Sequence, residues 1–178
     1  VHMAVLLPGR SGRDGDFVDA NIKATTVLLQ AAAARKVKRF VYCSTVWASG
    51  HGSTEPYQPI DEDVPCAPVC IYGQTKLLGE SMAEWSARMS GMETVVIRFC
   101  GFHRVKGWDA DGNIDWASAD LPALFLRCLG AGFKLMDPLD LGAAFAQAVE
   151  NVAAAGRRFI VGVYTPYAAV DAAALRSM

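Results

Sequence analysis

The apolar run from Arg39 to Cys43, which halts at two adjacent hydroxyls, Ser44 and Thr45, constrains this chain more than any other stretch. A short, nearly unbroken apolar segment with β-branched and aromatic residues reads as a buried strand. Strands buried on both faces belong to parallel sheets with helices above and below. The flanking segments fit that picture. Upstream, Phe17, Ile22, Val27, Leu28 and Ala31 recur at helical spacing between Asp16 and Lys36, as in a helix covering a sheet. Downstream, Ile71 to Met89 predicts a second helix, with Leu77, Leu78, Met82 and Trp85 as its packing stripe, and Glu93 to Phe99 predicts a second buried strand. Strand, helix and strand in that order place the chain in the α/β class.

The second helix carries Tyr72 and Lys76 in the run CIYGQTKLLGE. Residues four apart lie one turn above each other, so both side chains share a face. An ammonium beside a phenol favours the phenolate, and a shift of about three units takes roughly 4 kcal/mol of differential interaction. Such a pair can also be a packed ring beside a solvated amine. The upstream strand weighs against that reading, because catalytic groups collect where parallel strands end.

Together these residues resemble the extended short-chain dehydrogenase/reductase family, the NAD-dependent epimerases and dehydratases. That family has a strand ending in Ser-Ser/Thr and then Tyr-x-x-x-Lys. NIKATTVLLQAAAARKVKRFVYCST is similar to the family's Asn-x-x-Gly-Thr helix and the strand after it, with Ala24 where glycine is usual. PYQPIDEDVPCAP resembles the approach to the tyrosine helix, and Arg98, Phe99, Cys100 and Gly101 stand where the family has Arg-Pro-x-Asn. The resemblance is strongest from Val1 to Arg104. It implies a Rossmann-like doubly wound parallel sheet that holds NAD or NADP. It further implies Thr45, Tyr72 and Lys76 as catalytic residues. Met3, Ala4, Asn21, Cys43, Ser44, Tyr72, Lys76, Phe99 and Cys100 are implied as cofactor neighbours. In the implied chemistry Tyr72 exchanges a proton with a carbinol hydroxyl, Lys76 depresses the tyrosine and holds the nicotinamide ribose, and Thr45 with Ser44 orients the reacting oxygen. The implied substrate is a small molecule, a sugar or nucleotide-sugar.

In the family register Val1 to Ala4 resembles the fourth strand, so the sheet is expected to be truncated at its N-terminus. The strands that carry the phosphate-binding glycines are then missing. An apolar edge over Val1 to Leu7 is expected to stay open, with aggregation or pairing and poor dinucleotide binding as consequences. The expected division is residues 1–104 as the catalytic half of the dinucleotide-binding domain and residues 105–178 as a reduced substrate cap with the last helix and strand. Two alternatives stay open. Gly9, Gly12 and Gly15 imitate a phosphate-binding fingerprint and could serve a miniature dinucleotide binder. A non-catalytic remnant that binds a partner through its sheet edge would carry the same residues.

Charge and cysteines exclude other classes. With 17 basic and 18 acidic residues nothing favours capture of nucleic acid or an anionic membrane. No apolar run has the length of a membrane span, and a cytosolic protein able to pair as a homodimer is expected. Five cysteines without paired spacing read as free thiols, and Cys66, Cys70 and His51 as a weak metal alternative, so no metal is expected. Glu62 and Asp63 read as loop or cap carboxylates, Asp140 as a helix-capping residue, and Trp108 and Trp116 as loop aromatics that anchor or stack.

Overall fold

The computed structural model describes residues 1–10, 13–50, 56–57, 60–101 and 138–162. A helical segment opens it, made of α1 (Asp14–Phe17), a π-helical stretch (Val18–Lys23) and α2 (Ala24–Ala34). Then follow β1 (Arg39–Thr45), a 3-10 turn (Val46–Ala48), α3 (Ile71–Ser90) and β2 (Glu93–Phe99). After them come α4 (Pro138–Glu150), a second 3-10 turn (Val152–Ala154) and β3 (Arg158–Val161). Two compact units emerge: Val1–Phe99 with Ala144–Val161, and Cys100–Ala143 with Gly162–Met178. Trp108, Trp116, Cys128, His51 and Gly12 lie outside the described residues.

The first unit is built on a parallel sheet in the order β1-β2-β3. Arg39 to Thr45 stand against Glu93 to Phe99, and Val96 to Phe99 against Arg158 to Val161. On the free side of β1, His2 makes an isolated parallel bridge to Tyr42, closed by His2 N–H to the Val41 carbonyl and Cys43 N–H to the His2 carbonyl. The expected strand at the start is therefore a single bridged residue among the described ones. Val1, Met3 and Leu7 are exposed beside it.

Alternation along the strands sorts the two faces. Phe40, Tyr42 and Val96 join Leu29 of α2 and Ala83 of α3 in one buried cluster. On the opposite face, Ile97 and Phe159 border a cavity with Ala144 and Ala148 of α4. Helices cover both faces, as the unbroken apolar character of β1 and β2 requires.

The helix ends follow from local chemistry. At the C-terminus of α2, Lys36 N–H bonds the Ala33 carbonyl and Val37 N–H the Ala32 carbonyl, with Lys36 in the left-handed region at φ 53°. That is the Schellman arrangement, here without glycine. Arg39 closes α4 from β1, its Nη1 donating to the carbonyls of Ala148, Val149 and Asn151, while its other nitrogens hold Glu93. Asp140 lies in the first turn of α4, where a carboxylate meets the positive end of the helix dipole.

One packing expectation is overturned. On α3 the buried face is Tyr72, Gly73, Thr75, Lys76, Gly79, Glu80, Ala83 and Ser86, whereas Leu78, Trp85 and Met89 are exposed. Leu78 and Trp85 of the expected stripe point outward, while Met82 is partly buried against the core cluster, because much of the inward face is given over to polar side chains and to glycines that let neighbours approach.

Candidate active site

The C-terminal end of β1 and the first turns of α3 meet through two close approaches. Cys70 caps α3, its Sγ accepting the Gly73 N–H at 3.4 Å. A Cβ at residue 73 would stand 2.3 Å from the Trp47 carbonyl oxygen, so only glycine lets the helix start lie against the turn after β1. That contact brings Tyr72 to Thr45. The Tyr72 ring meets the Trp47 ring edge-on, with centroids 6.5 Å apart. Thr45, which accepts the Trp47 N–H at 3.3 Å, lies near enough to the Tyr72 phenol to lower its pKa.

Burial dominates the electrostatics. It pushes the Tyr72 phenol up to about 12, against the lowering effect of the nearby Thr45 hydroxyl. It also pulls the Lys76 ammonium down to about 8, with Cys43 and Glu80 opposing. Lys76 therefore does not make Tyr72 a phenolate at neutral pH in the ligand-free chain, contrary to the effect expected from the Tyr-x-x-x-Lys spacing alone. The ammonium instead lies 4.2 Å from the centroid of the Tyr42 ring.

The structure also brings Asn21 to this cluster. It is 1% exposed, its Oδ1 accepting the Leu6 N–H at 2.7 Å while its Nδ2 donates to the Leu6 carbonyl and the Thr75 hydroxyl. Asn21 thus ties the opening segment to α3, from inside the π-helical stretch that widens the helix there. His2 Nε2 lies 2.8 Å from Thr25 Oγ1, which itself donates to the Asn21 carbonyl. Burial, then the Lys76 charge, hold the imidazole down near 4, so it is neutral. Met3 and Ala4 follow it, exposed along the edge. Cys43 is buried and pushed up to about 11, first by burial. The Ser44 hydroxyl is turned to Glu80 rather than toward Tyr72. Phe99 ends β2 opposite Thr45, and Cys100 is a buried residue of the second unit.

Sequence reasoning missed the feature with the most buried charge. Glu80 and Arg98 are both fully buried, with Arg98 Nη2 at 2.7 Å and Nε at 2.9 Å from the Glu80 carboxylate. Ser44 and Arg158 complete the set around that carboxylate, Arg158 Nε as an ion pair at 3.2 Å without hydrogen-bond alignment. The clue was a Glu one turn beyond Lys76 and an Arg inside an apolar strand. Arg98 Nη2 also reaches Cys66 Sγ at 3.1 Å. Cys66 and Cys70 thus both take part in hydrogen bonds to their surroundings, and no group of three or more metal-ligating side chains exists among the described residues. Glu62 serves as a cap, its Oε1 accepting the Ile160 N–H of β3.

A strand ending in Thr45, a helix presenting Tyr72 and Lys76, and an asparagine that ties the opening segment to that helix form one constellation. The model of the NAD dependent epimerase/dehydratase family matches residues 2–103. The chain belongs to that family. Among its relatives within this epimerase/dehydratase family is the UDP-glucose 4-epimerase of Lactobacillus helveticus, 30% identical over 109 residues, which are 61% of this chain and 31% of the relative. The UDP-glucose 4-epimerase of Rhizobium meliloti is 30% identical over 143 residues, 76% of this chain and 42% of the relative. The dTDP-glucose 4,6-dehydratase of Streptomyces niveus is 36% identical over 87 residues, 49% of this chain and 25% of the relative. The chain thus spans less than half the length of these proteins. In fold it resembles an NAD-bound short-chain dehydrogenase/reductase superfamily protein from Agrobacterium tumefaciens, with a TM-score of 0.73 at 24% identity over 91% of this chain and 58% of that one. The UDP-glucuronic acid 4-epimerase of Bacillus cereus in complex with NAD gives 0.69 at 21%, over 92% of this chain and 53% of that one. Within this family the sheet is Rossmann-like, as expected. No helix among the described residues is long and apolar enough to cross a membrane.

Proposed function

We propose that the chain supplies the proton-transfer residues of an NAD-dependent nucleotide-sugar epimerase or dehydratase. The observation that carries the reading is the Thr45 hydroxyl against the Tyr72 phenol at the end of β1, with buried Lys76 one turn along α3. The residues suit the cofactor. Among the described residues no acceptor is bonded to Lys76 Nζ, so its N–H donors are available to ribose hydroxyls, and Met3 and Ala4 offer an exposed backbone edge beside it. Asn21, Cys43, Ser44 and Phe99 are the remaining candidates around it. When bound, NAD supplies a hydride acceptor that can return the hydride.

Within that site Thr45 would orient the reacting oxygen by hydrogen bonding. Tyr72, protonated in the free chain, would give its proton to a carbonyl oxygen, or as phenolate take one from a carbinol hydroxyl. The charge of Lys76 favours the phenolate and is fully present only below about 8. The relatives named above support a nucleotide-sugar as substrate. Calorimetric titration of the folded chain with NAD is expected to show saturable but weak binding, in keeping with the poor dinucleotide binding expected from its sequence. Folded protein that takes up no NAD and turns over no UDP-glucose would sink the reading.

The exposed apolar residues Leu78, Trp85 and Met89 on α3 and Val27 and Leu28 on α2 support a homodimer through these helices. Light scattering at the mass of one chain would remove it.

A further inference from the structure

We propose that Tyr42 is a positioning residue whose ring seats the Lys76 ammonium, and that Gly79 is the notch that lets the ring lie there. Tyr42 is fully buried in β1 and Lys76 is 2% exposed, with Nζ 4.2 Å from the ring centroid. A Cβ at residue 79 would stand 2.0 Å from the Tyr42 hydroxyl and 2.6 Å from the ring carbon that carries it. Any side chain there displaces the ring. The Tyr42 hydroxyl, 3.5 Å from the Lys76 carbonyl oxygen, reaches the same helix turn.

A buried ammonium needs compensation. The nearest carboxylate on its own helix, Glu80, is engaged by Ser44, Arg98 and Arg158. The ring face is left to do it, through its negative quadrupole. A π-face stabilises charge without fixing the N–H directions. The seat therefore holds the ammonium at the site and leaves its donors for a ligand, which a carboxylate in the same place would not. What the ammonium is then used for rests on the function proposed above; the seat itself does not.

The groups facing Lys76 leave its titration clean. These are His2 from the edge segment, Tyr42 and Cys43 from β1, and Tyr72 and Glu80 from α3. His2 is neutral above about 4, Cys43 stays a thiol to about 11 and Tyr72 a phenol to about 12, so their charges are constant while Lys76 titrates near 8. Burial holds the Tyr42 phenol higher still.

The test is an NMR titration of the chain with isotope-labelled lysine, the Lys76 signal assigned by its loss in Lys76→Arg. Tyr42→Phe keeps the ring and is expected to leave the Lys76 midpoint in place. Tyr42→Leu removes it and is expected to lower the midpoint by about one unit, the equivalent of a desolvated cation–π contact. A merely structural Tyr42 would lower the melting temperature in the leucine variant without moving the midpoint, and that result overturns the proposal. Should Tyr42→Leu not fold, the wild-type chain decides. Ring-current upfield shifts of the Lys76 ε-methylene protons support the seat, and their absence overturns it. A chain that shows the seat but takes up no NAD and turns over no UDP-glucose keeps this inference and sinks the functional reading.

Discussion

Replacing Glu80 by leucine is expected to destabilise the chain by about 3–5 kcal/mol, because it leaves the Arg98 guanidinium buried without its counter-charge. Both side chains of the pair are at 0% exposure, so water cannot substitute for the lost partner. Burial alone would pull the guanidinium's pKa down. The hydrogen bonds and charge of Glu80 more than offset it and hold the group above its ordinary value. Loss of Glu80 also frees the Ser44 hydroxyl and removes one partner of Arg158, which is partly exposed and retains Glu84 at 2.6 Å. For a chain of this size the melting temperature should fall by roughly 10 °C. The pair is not an optimum in itself. Arg98 Nη1 is buried with no acceptor among the described residues, and an orphaned donor costs about 1–3 kcal/mol. Glu80→Leu combined with Arg98→Met is therefore expected to recover most of the loss. Urea unfolding of the two single variants and the double variant measures the coupling. A Glu80→Leu variant within about 1 kcal/mol of the wild type would mean that the buried pair does not hold α3 to β2.

The same pair shows where sequence reasoning stops. Strands β1 and β2 and helix α3 were legible because each rests on a local pattern, an apolar run or a helical period, whereas the pairing of Tyr72 with Thr45 was implied by the family resemblance. The direction in which α3 faces was not. Leu78 and Trp85 have the spacing of a core stripe, and periodicity says only that residues share a face, not which face is inward. The inward face was decided by tertiary facts that one segment cannot display: Tyr42 filling the space over Gly79, Trp47 filling that over Gly73, and Arg98 arriving from the next strand to meet Glu80. The electrostatics failed for a related reason. Spacing placed a cation near Tyr72, but burial, which depends on everything packed around the phenol, outweighs it in the ligand-free chain. Asn21 was legible as a polar residue in a covering helix. Its two hydrogen bonds to the Leu6 backbone are made from within a π-helical stretch, for which the sequence carries no recognisable signal.

Tyr72→Phe is expected to reduce turnover of a nucleotide-sugar substrate by about 10²–10⁴-fold, the usual worth of a positioned general acid or base. NAD affinity should change little, because the donors proposed for the cofactor belong to Lys76 and the backbone edge. The substitution isolates the proton. The ring keeps its edge-on contact with Trp47, and Thr45 keeps the Trp47 N–H, so stability should move by no more than about 1 kcal/mol. The pH profile of the wild type then tells which group sets the phenol. Lys76, pulled down to about 8 by burial, loses its charge as pH rises through that value, and with it goes the attraction that favours a phenolate. Turnover in the direction that needs Tyr72 as base should therefore level off on the alkaline side of about 8, where the ammonium–phenolate and amine–phenol forms hold the same number of protons, rather than climb toward 12, where the unassisted phenol ionises. A rate that rises through pH 9 and above would mean that the phenol ionises without Lys76. Unchanged turnover by a folded Tyr72→Phe variant would remove Tyr72 from the chemistry and leave the proton to another group at the end of β1.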